Sequence, residues 1–294
     1  MYYRRKILLA LLQQFDGKLD KISLQKLLFL VTKQQVQASY HFIPYKLGCY
    51  SFQANSDLHT LDKYGLVSET DKYWTKTDTR NYYSELKFKD QTAISSVKNR
   101  YGNLSKNELI KLTYNKYPYY AINSTIVANI LNNENIDNIK KQRPVITNII
   151  LFTIGYEGVT LEQYLNKLIV NDVKVLCDVR KNPLSMKYGF SKSQLENACS
   201  GVNIEYIHIP ELGIESDKRN QLNTQADYDK LFTFYRNTVL AKERTKQEEI
   251  LNILKIKKRI ALTCFEANIC QCHRKHLAES IAKLDGFNYE IKHI

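Results

Sequence analysis

From Val145 onward the chain alternates short apolar, β-branched runs with stretches whose apolar residues recur at helical spacing. That alternation admits few folds, because short buried strands joined by helical crossovers form a parallel sheet with helices on its faces. The spacing predicts strands at Ile149–Ile154, Val173–Cys177, Ile204–His208, Ile260–Cys264 and Tyr289–Ile294. Helices are expected at Leu161–Val170, Lys192–Cys199, Tyr228–Ala241, Lys246–Leu254 and Cys272–Leu284. The polar, charged stretch Asn132–Arg143 followed by Pro144 marks a boundary, giving domains 1–144 and 145–294. The fold class expected is therefore α/β: a C-terminal parallel-sheet, Rossmann-like three-layer domain plus an N-terminal, mainly helical, winged-helix-like domain.

In an open parallel sheet, ligands bind beyond the carboxyl ends of the strands, where strand order switches. The chemically unusual residues of the C-terminal half fall at those ends. Gly155 and Tyr156 follow the first strand, Asp178-Val-Arg180 the second, and Pro210-Glu211-Leu-Gly213 the third. Cys264-Phe-Glu266 ends the fourth, and Cys272-His273-Arg274 opens the helix behind it. Cys272 to Arg274 would occupy a first helical turn, where unpaired N–H groups and the helix dipole favour an anion. Arg180 and Arg274 could grip a phosphate or carboxylate bidentately, or could equally form ion pairs with Asp178 or Glu266 that tie loops together. Asp178, Glu266 and His273 have the side chains for acid–base work. Cys272, near cations and a helix start, could carry a lowered pKa and act as a nucleophile, although most lone cysteines fill cores.

Six motifs occur in order here: Thr153-Ile-Gly-Tyr156, Asp178-Val-Arg180, Phe190-Ser191, Tyr206 through Pro210 to Gly213, Cys264-Phe-Glu266, and Cys272-His-Arg274. Together they resemble the uncharacterised-domain family numbered 488, over about residues 150–294. The resemblance implies the α/β fold and, since that family has no assigned role, little about activity.

Cys264, Cys270, Cys272, His273 and His276 raise the question of zinc. Their spacing lacks the paired C-x2-C knuckles of structural zinc sites, so no metal site is expected, and the residues leave the cofactor unknown.

The formal charge of +13 is unevenly divided. Residues 1–146 hold 22 Lys and Arg against 12 Asp and Glu, and 14 of the 21 tyrosines, whereas residues 147–294 hold 21 against 18. A basic, aromatic-rich half suits contact with a phosphate backbone, and a solvated Lys-rich surface is the plainer alternative. Helical spacing over Arg5–Phe15, a second helix that Ser23 could cap, and a third from Ser51 to about Tyr64 precede two β-prone runs within Leu66–Thr77. That is the element order of a winged helix, which places Gln53, Asn55 and His59 on the exposed side of the third helix and Lys72 and Lys76 on the wing as candidate nucleic-acid contacts. Leu24–Leu30, Tyr45–Phe52 and Leu58–Leu66 also resemble the Panacea antitoxin-type domain, with Cys49 standing where that family's pattern has Pro. The resemblance implies a helical module for protein or DNA contact without a catalytic centre. The tyrosines from Tyr114 to Tyr120 could stack bases or, the favoured reading, pack the two halves together.

No apolar run approaches the ~20 residues of a membrane span, and the basic N-terminus reads as a helix start rather than an export signal. Six cysteines without a framework pattern then point to reduced thiols and a cytoplasmic protein. Three functions fit. The first is a nucleic-acid-associated protein whose α/β domain binds, and on one reading processes, a phosphate-bearing nucleotide, nucleoside or nucleic-acid substrate. The second is a ligand-sensing DNA-binding regulator. The third is a non-enzymatic toxin–antitoxin or phage-defence module. Expected partners are DNA or RNA through residues 1–144, a phosphate- or carboxylate-bearing small molecule, and a protein partner or second copy.

Overall fold

A computed structural model describes residues 1–219 and 222–294. The chain divides into two compact units, Met1–Arg143 and Pro144–Ile294. No described helix is long and apolar enough to cross a membrane.

The N-terminal unit opens with α1 (Tyr3–Gln14), a short strand β1 (Lys18–Asp20) and α2 (Lys21–Thr32), whose first turn is capped by the Asp20 carboxylate rather than by Ser23. Asp20 wins because its oxygen reaches the N–H groups of Ile22 and Ser23, placing the cap three residues before the expected one. The hairpin β2 (Ile43–Tyr45) and β3 (Gly48–Tyr50) follows, then α3 (Phe52–Lys63), capped by the Ser51 hydroxyl. Strands β4 (Val67–Glu69) and β5 (Tyr73–Lys76) pair antiparallel, and β1 adds to the other edge of β5. The unit is completed by α4 (Phe88–Tyr101), α5 (Lys106–Lys116), a short α6 (Val127–Ile130) and α7 (Asn133–Lys141). Ser105 and Glu108 form the capping box of α5 that their spacing foretells. The core gathers Leu8, Leu12, Leu28, Phe29, Trp74 and Ile94. Tyr117 and Tyr120 set their rings edge-on against Phe29 of their own unit, and Tyr114 is buried. These rings therefore serve the core of the N-terminal unit.

The C-terminal unit is α/β. Its strands are β6 (Ile150–Gly155), β7 (Val175–Asp178), β8 (Glu205–His208), β9 (Arg259–Cys264) and β10 (Glu290–His293). They form one all-parallel sheet in the order β10-β6-β9-β7-β8. The helices between them are α8 (Leu161–Val170), α9 (Lys192–Ser200), α10 (Gln225–Tyr235), α11 (Arg244–Lys257) and α12 (His273–Ile281). One sheet face, with Leu151, Val175, Cys177, Ile260 and Leu262, is covered by apolar residues of α10, α11 and α12. On the other, Tyr164 of α8 donates its hydroxyl to Thr263 at 2.7 Å. The strands are apolar on both faces because both are covered, which is why the sequence shows continuous runs rather than alternation. After β9 the chain crosses to β10 on one side, whereas after β7 it crosses to β8 on the other. The connections diverge between these neighbours, so a crevice opens at their carboxyl ends.

Candidate functional site

The loops leaving β6 and β9 are laced together. Tyr156 and Glu157 donate their backbone N–H groups to the carbonyl of Phe265, and Ala267 N–H donates to the Glu157 carboxylate. Gly155 makes this crossing possible. A Cβ there would sit 2.0 Å from the backbone oxygen of Glu266, far inside any tolerable approach. The glycine is thus required by a passing chain rather than by a turn.

At the end of β7 the fully buried Asp178 accepts from the backbone N–H of Arg180 (3.1 Å), from its Nε (2.8 Å) and Nη2 (2.5 Å), and from the Tyr206 hydroxyl (2.6 Å). Arg180 spends Nη1 on the Tyr156 hydroxyl and the Phe190 carbonyl, both at 2.8 Å. Tyr156 in turn stacks on Phe190 with ring centroids 4.2 Å apart. Burial opposes the charge of Arg180, but the bonds to Asp178 outweigh it and hold the guanidinium protonated well above its ordinary range. Burial and the same carboxylate push the Tyr206 hydroxyl up. Asp178 and Arg180 therefore form an internal ion pair that ties three loops, the plainer of the two roles their types allow.

The β9 end and the start of α12 bring four side chains together. Cys264 and Cys272 each direct Sγ at Glu266 Oε2, at 3.1 and 3.0 Å. His273 sets Nδ1 3.5 Å from Cys264 Sγ and Nε2 3.1 Å from the carbonyl of Val179. A carbonyl can only accept, so Nε2 carries the proton and the Nδ1 lone pair faces the thiol. Cys264, Cys272 and His273 are buried, and Glu266 is half-buried. Arg274, also buried, donates Nη1 to the Glu266 carbonyl and Nη2 to the Ala267 carbonyl, while its Nε is buried without a hydrogen-bond partner. The expected activation of Cys272 is not found. Burial pushes its thiol well up, Cys264 adds to this, and Arg274 pulls back only in part.

A hollow of about 380 Å³ lies over the crevice. Tyr156, Arg180, Lys181, Cys264, Phe265 and Glu266 border it, together with the 182–186 loop and Ile214. Gly155 supports its floor by admitting Glu266, and Arg274 joins it only through the loop carbonyls. Glu211 stands apart, lining a neighbouring hollow of about 240 Å³ with Lys181 and Lys242. Sequence reasoning missed Lys181, Phe265 and the Val179 carbonyl. Lys181 and Phe265 directly adjoin quoted motif residues, so adjacency was the available signal; a backbone carbonyl leaves none.

In the N-terminal unit Lys72 is exposed in the β4–β5 turn. Lys76 is instead folded onto Asp78 at 2.9 Å with its side chain largely buried, which removes it from the set of expected backbone contacts. His59 meets Glu69 at 3.1 Å and the edge of Trp74. Gln53 is half-exposed on α3, and Asn55 borders an apolar hollow of about 320 Å³ that also holds Lys26.

Residues 160–281 match the model of a family described as "Domain of unknown function DUF488". The matched span takes in Asp178, Arg180, Glu266 and Cys272 to Arg274, and leaves Gly155 and Tyr156 just outside. No curated protein matches the chain.

Proposed function

We propose that this is a nucleic-acid-associated protein whose α/β unit binds a phosphate-bearing nucleotide, or a fragment of nucleic acid, in the hollow at the carboxyl ends of β6, β7 and β9. The observation that carries this reading is the pairing of Lys181 with Phe265 on one hollow. An exposed cation and a ring that is 41% exposed and braced edge-on by Tyr156 line the same hollow. Nucleotides need both, a charge for phosphate and a face for the base. The volume falls within the roughly 300–1,000 Å³ of small-molecule sites, and Asn182 and Ser185 add polar groups. Arg180, locked to Asp178, sets the wall of the hollow rather than gripping a ligand.

The N-terminal unit supports nucleic-acid contact, with DNA or RNA, by its charge and its layout. Helix, strand, helix, an inserted β2–β3 hairpin, helix and an antiparallel pair, with β1 joining β5, is an arrangement compatible with a winged helix carrying an insertion before its third helix. Lys72 would then lie on the wing. The Panacea-like motifs add a protein partner to the picture and favour a binding module over a catalyst for this unit. We place the protein in the cytoplasm, since its six cysteines follow no framework spacing and form no disulfide.

Calorimetric titration of the full chain with nucleoside mono-, di- and triphosphates, and with short single- and double-stranded oligonucleotides at several salt concentrations, tests both parts. Lys181→Ala is expected to weaken nucleotide binding about tenfold, or ~1.4 kcal/mol. Lys72→Ala should weaken oligonucleotide binding and flatten its salt dependence while leaving nucleotide binding unchanged. Absence of any nucleotide heat, or an unaltered affinity in Lys181→Ala, would refute the hollow as the site.

A further inference from the structure

We propose that Cys264, Glu266, Cys272 and His273 form a zinc site. The spacing of these residues argues against one, since they arrive from the end of a strand and the start of a helix rather than from paired knuckles. The fold overrides the spacing. One ligand atom from each of the four residues lies within 4.8 Å of the other three. Zn–S bonds of ~2.3 Å and Zn–N or Zn–O bonds of ~2.0–2.2 Å, arranged tetrahedrally, put ligand atoms roughly 3.3–3.8 Å apart. The 3.5 Å separation already has that spacing, the 3.0 and 3.1 Å ones fall just short of it, and the remaining pairs, within 4.8 Å, need at most to close by about 1 Å.

Three further observations point the same way. His273 is already in the form a metal needs, with Nε2–H committed to the Val179 carbonyl and Nδ1 presented to Cys264. Orienting a ligand histidine through its second nitrogen is the usual support for a zinc site. Next, two thiols and a carboxylate converge in a largely buried space, and both thiols point at the same carboxylate oxygen. A divalent cation is the group that such a set can hold in place of thiol protons, two of which would pass to solvent on binding. Last, Arg274 and the first turn of α12 lie beside the cluster, where their positive charge offsets the surplus negative charge of two thiolates and a carboxylate on Zn²⁺. Thiolate and imidazole ligands select zinc over magnesium or calcium.

The cluster borders the ligand hollow through Cys264 and Glu266. Glu266, as the one half-buried member, is the ligand that an incoming oxygen can replace, which would give the metal an open position facing that hollow. The metal proposal stands without the nucleotide reading, because its test needs no nucleotide.

The full chain, purified under reducing conditions without added chelator, should carry about one zinc by elemental analysis. After zinc removal it should take up about one Co²⁺ with the intense near-ultraviolet absorption of thiolate-to-cobalt charge transfer and the visible bands of a tetrahedral ion. Cys272→Ser and His273→Ala should weaken zinc binding about 100-fold or more. Cys270→Ser, at the exposed cysteine outside the cluster, should bind zinc as the parent does. Failure of the reduced parent protein to develop thiolate–cobalt bands overturns the proposal, whether or not the variants fold. So does zinc retained undiminished by a soluble Cys272→Ser, and so does a Cys264–Cys272 disulfide in protein that has never been exposed to oxidant.

Discussion

Each unit buries one aspartate among arginine and tyrosine, yet the two clusters are built differently. In the N-terminal unit Asp57 of α3 accepts from Arg4 Nε at 2.6 Å, Arg5 Nε at 2.7 Å and the Tyr40 hydroxyl at 3.1 Å. Its arginines sit on α1 with side chains that remain partly open to water, 32% for Arg4 and 13% for Arg5. In the C-terminal unit Asp178 and Arg180 are both enclosed, at 0% and 6%, and lie two residues apart. The first cluster bolts two helices at the edge of a core. The second sits at a strand end and sets the walls of a hollow. Similar chemistry thus serves packing in one unit and site architecture in the other, and what separates them is whether the cation has water to fall back on.

The comparison breaks most visibly if Asp178 is removed. Asp178→Ala leaves Arg180 buried without its carboxylate and should destabilise the C-terminal unit by about 3–5 kcal/mol, the cost of an uncompensated buried charge. Denaturant unfolding followed by hydrogen exchange reads this unit by unit. Asp178→Ala combined with Arg180→Met should recover much of the loss, because the charge leaves with its partner. A loss under 1 kcal/mol for the single variant would mean that Arg180 finds solvent after all.

Asp57→Ala should cost less, about 2 kcal/mol, because Arg4 and Arg5 can swing outward. The single Tyr40 hydroxyl proton, shared between Asp57 and the Arg4 carbonyl, can then turn wholly to that carbonyl at 3.0 Å. Burial works against the charge on Arg4, and the Asp57 bond more than restores it. The same denaturation measurement checks the ranking; an Asp57→Ala loss equal to that of Asp178→Ala would erase the distinction drawn here.

The two clusters also mark what could be read from the chain. Asp178-Val-Arg180 is visible because both partners lie in one short stretch beyond a predicted strand, and strand ends in a parallel sheet are where sites form. Nothing in the sequence ties Asp57 to residues 52 and 53 positions earlier, since that pairing exists only after α1 packs on α3. The strands and helices of the α/β unit were legible within a few residues because buried parallel strands and amphipathic helices have different periods. The cluster of Cys264, Glu266, Cys272 and His273 was legible in its members but not in its geometry. Cys270 shares the same sequence neighbourhood yet faces outward, a difference set by the short 3-10 turn Ile269–Gln271. The fate of Lys76 was hidden for a similar reason, because Asp78 is two residues on and only the strand's twist decides that they meet.

The smallest effect concerns a third buried charge, which neither aspartate serves. Lys26 on α2 is buried, and its Nζ donates to the carbonyls of Leu47 (2.5 Å) and Cys49 (3.2 Å) in the β2–β3 hairpin. Gly48 between them, at φ +90°, lets the hairpin press against the ammonium, since a Cβ there would lie 2.9 Å from Nζ and 2.5 Å from the Tyr114 ring. Carbonyl dipoles replace only part of the hydration of an ammonium, so burial lowers the Lys26 pKa, with a partial return from the neighbouring Cys49. The unfolded lysine keeps its ordinary pKa near ~10.4, so between the lowered native value and that point the unfolded chain binds more protons. Stability contributed at Lys26 should therefore rise with pH across that window, and remain constant below it. Lys26→Met removes the titration. The difference in unfolding free energy between parent and variant, measured from neutral pH to about pH 10, should move in the parent's favour as pH rises. Both proteins carry Cys49→Ala, because Lys26 pulls the Cys49 thiol down against burial; the raised hydroxyls of Tyr40 and Tyr114 titrate in both and cancel in that difference. Parallel curves would show that the two carbonyls hold the ammonium as well as water does, and that an enclosed cation in this protein needs no carboxylate.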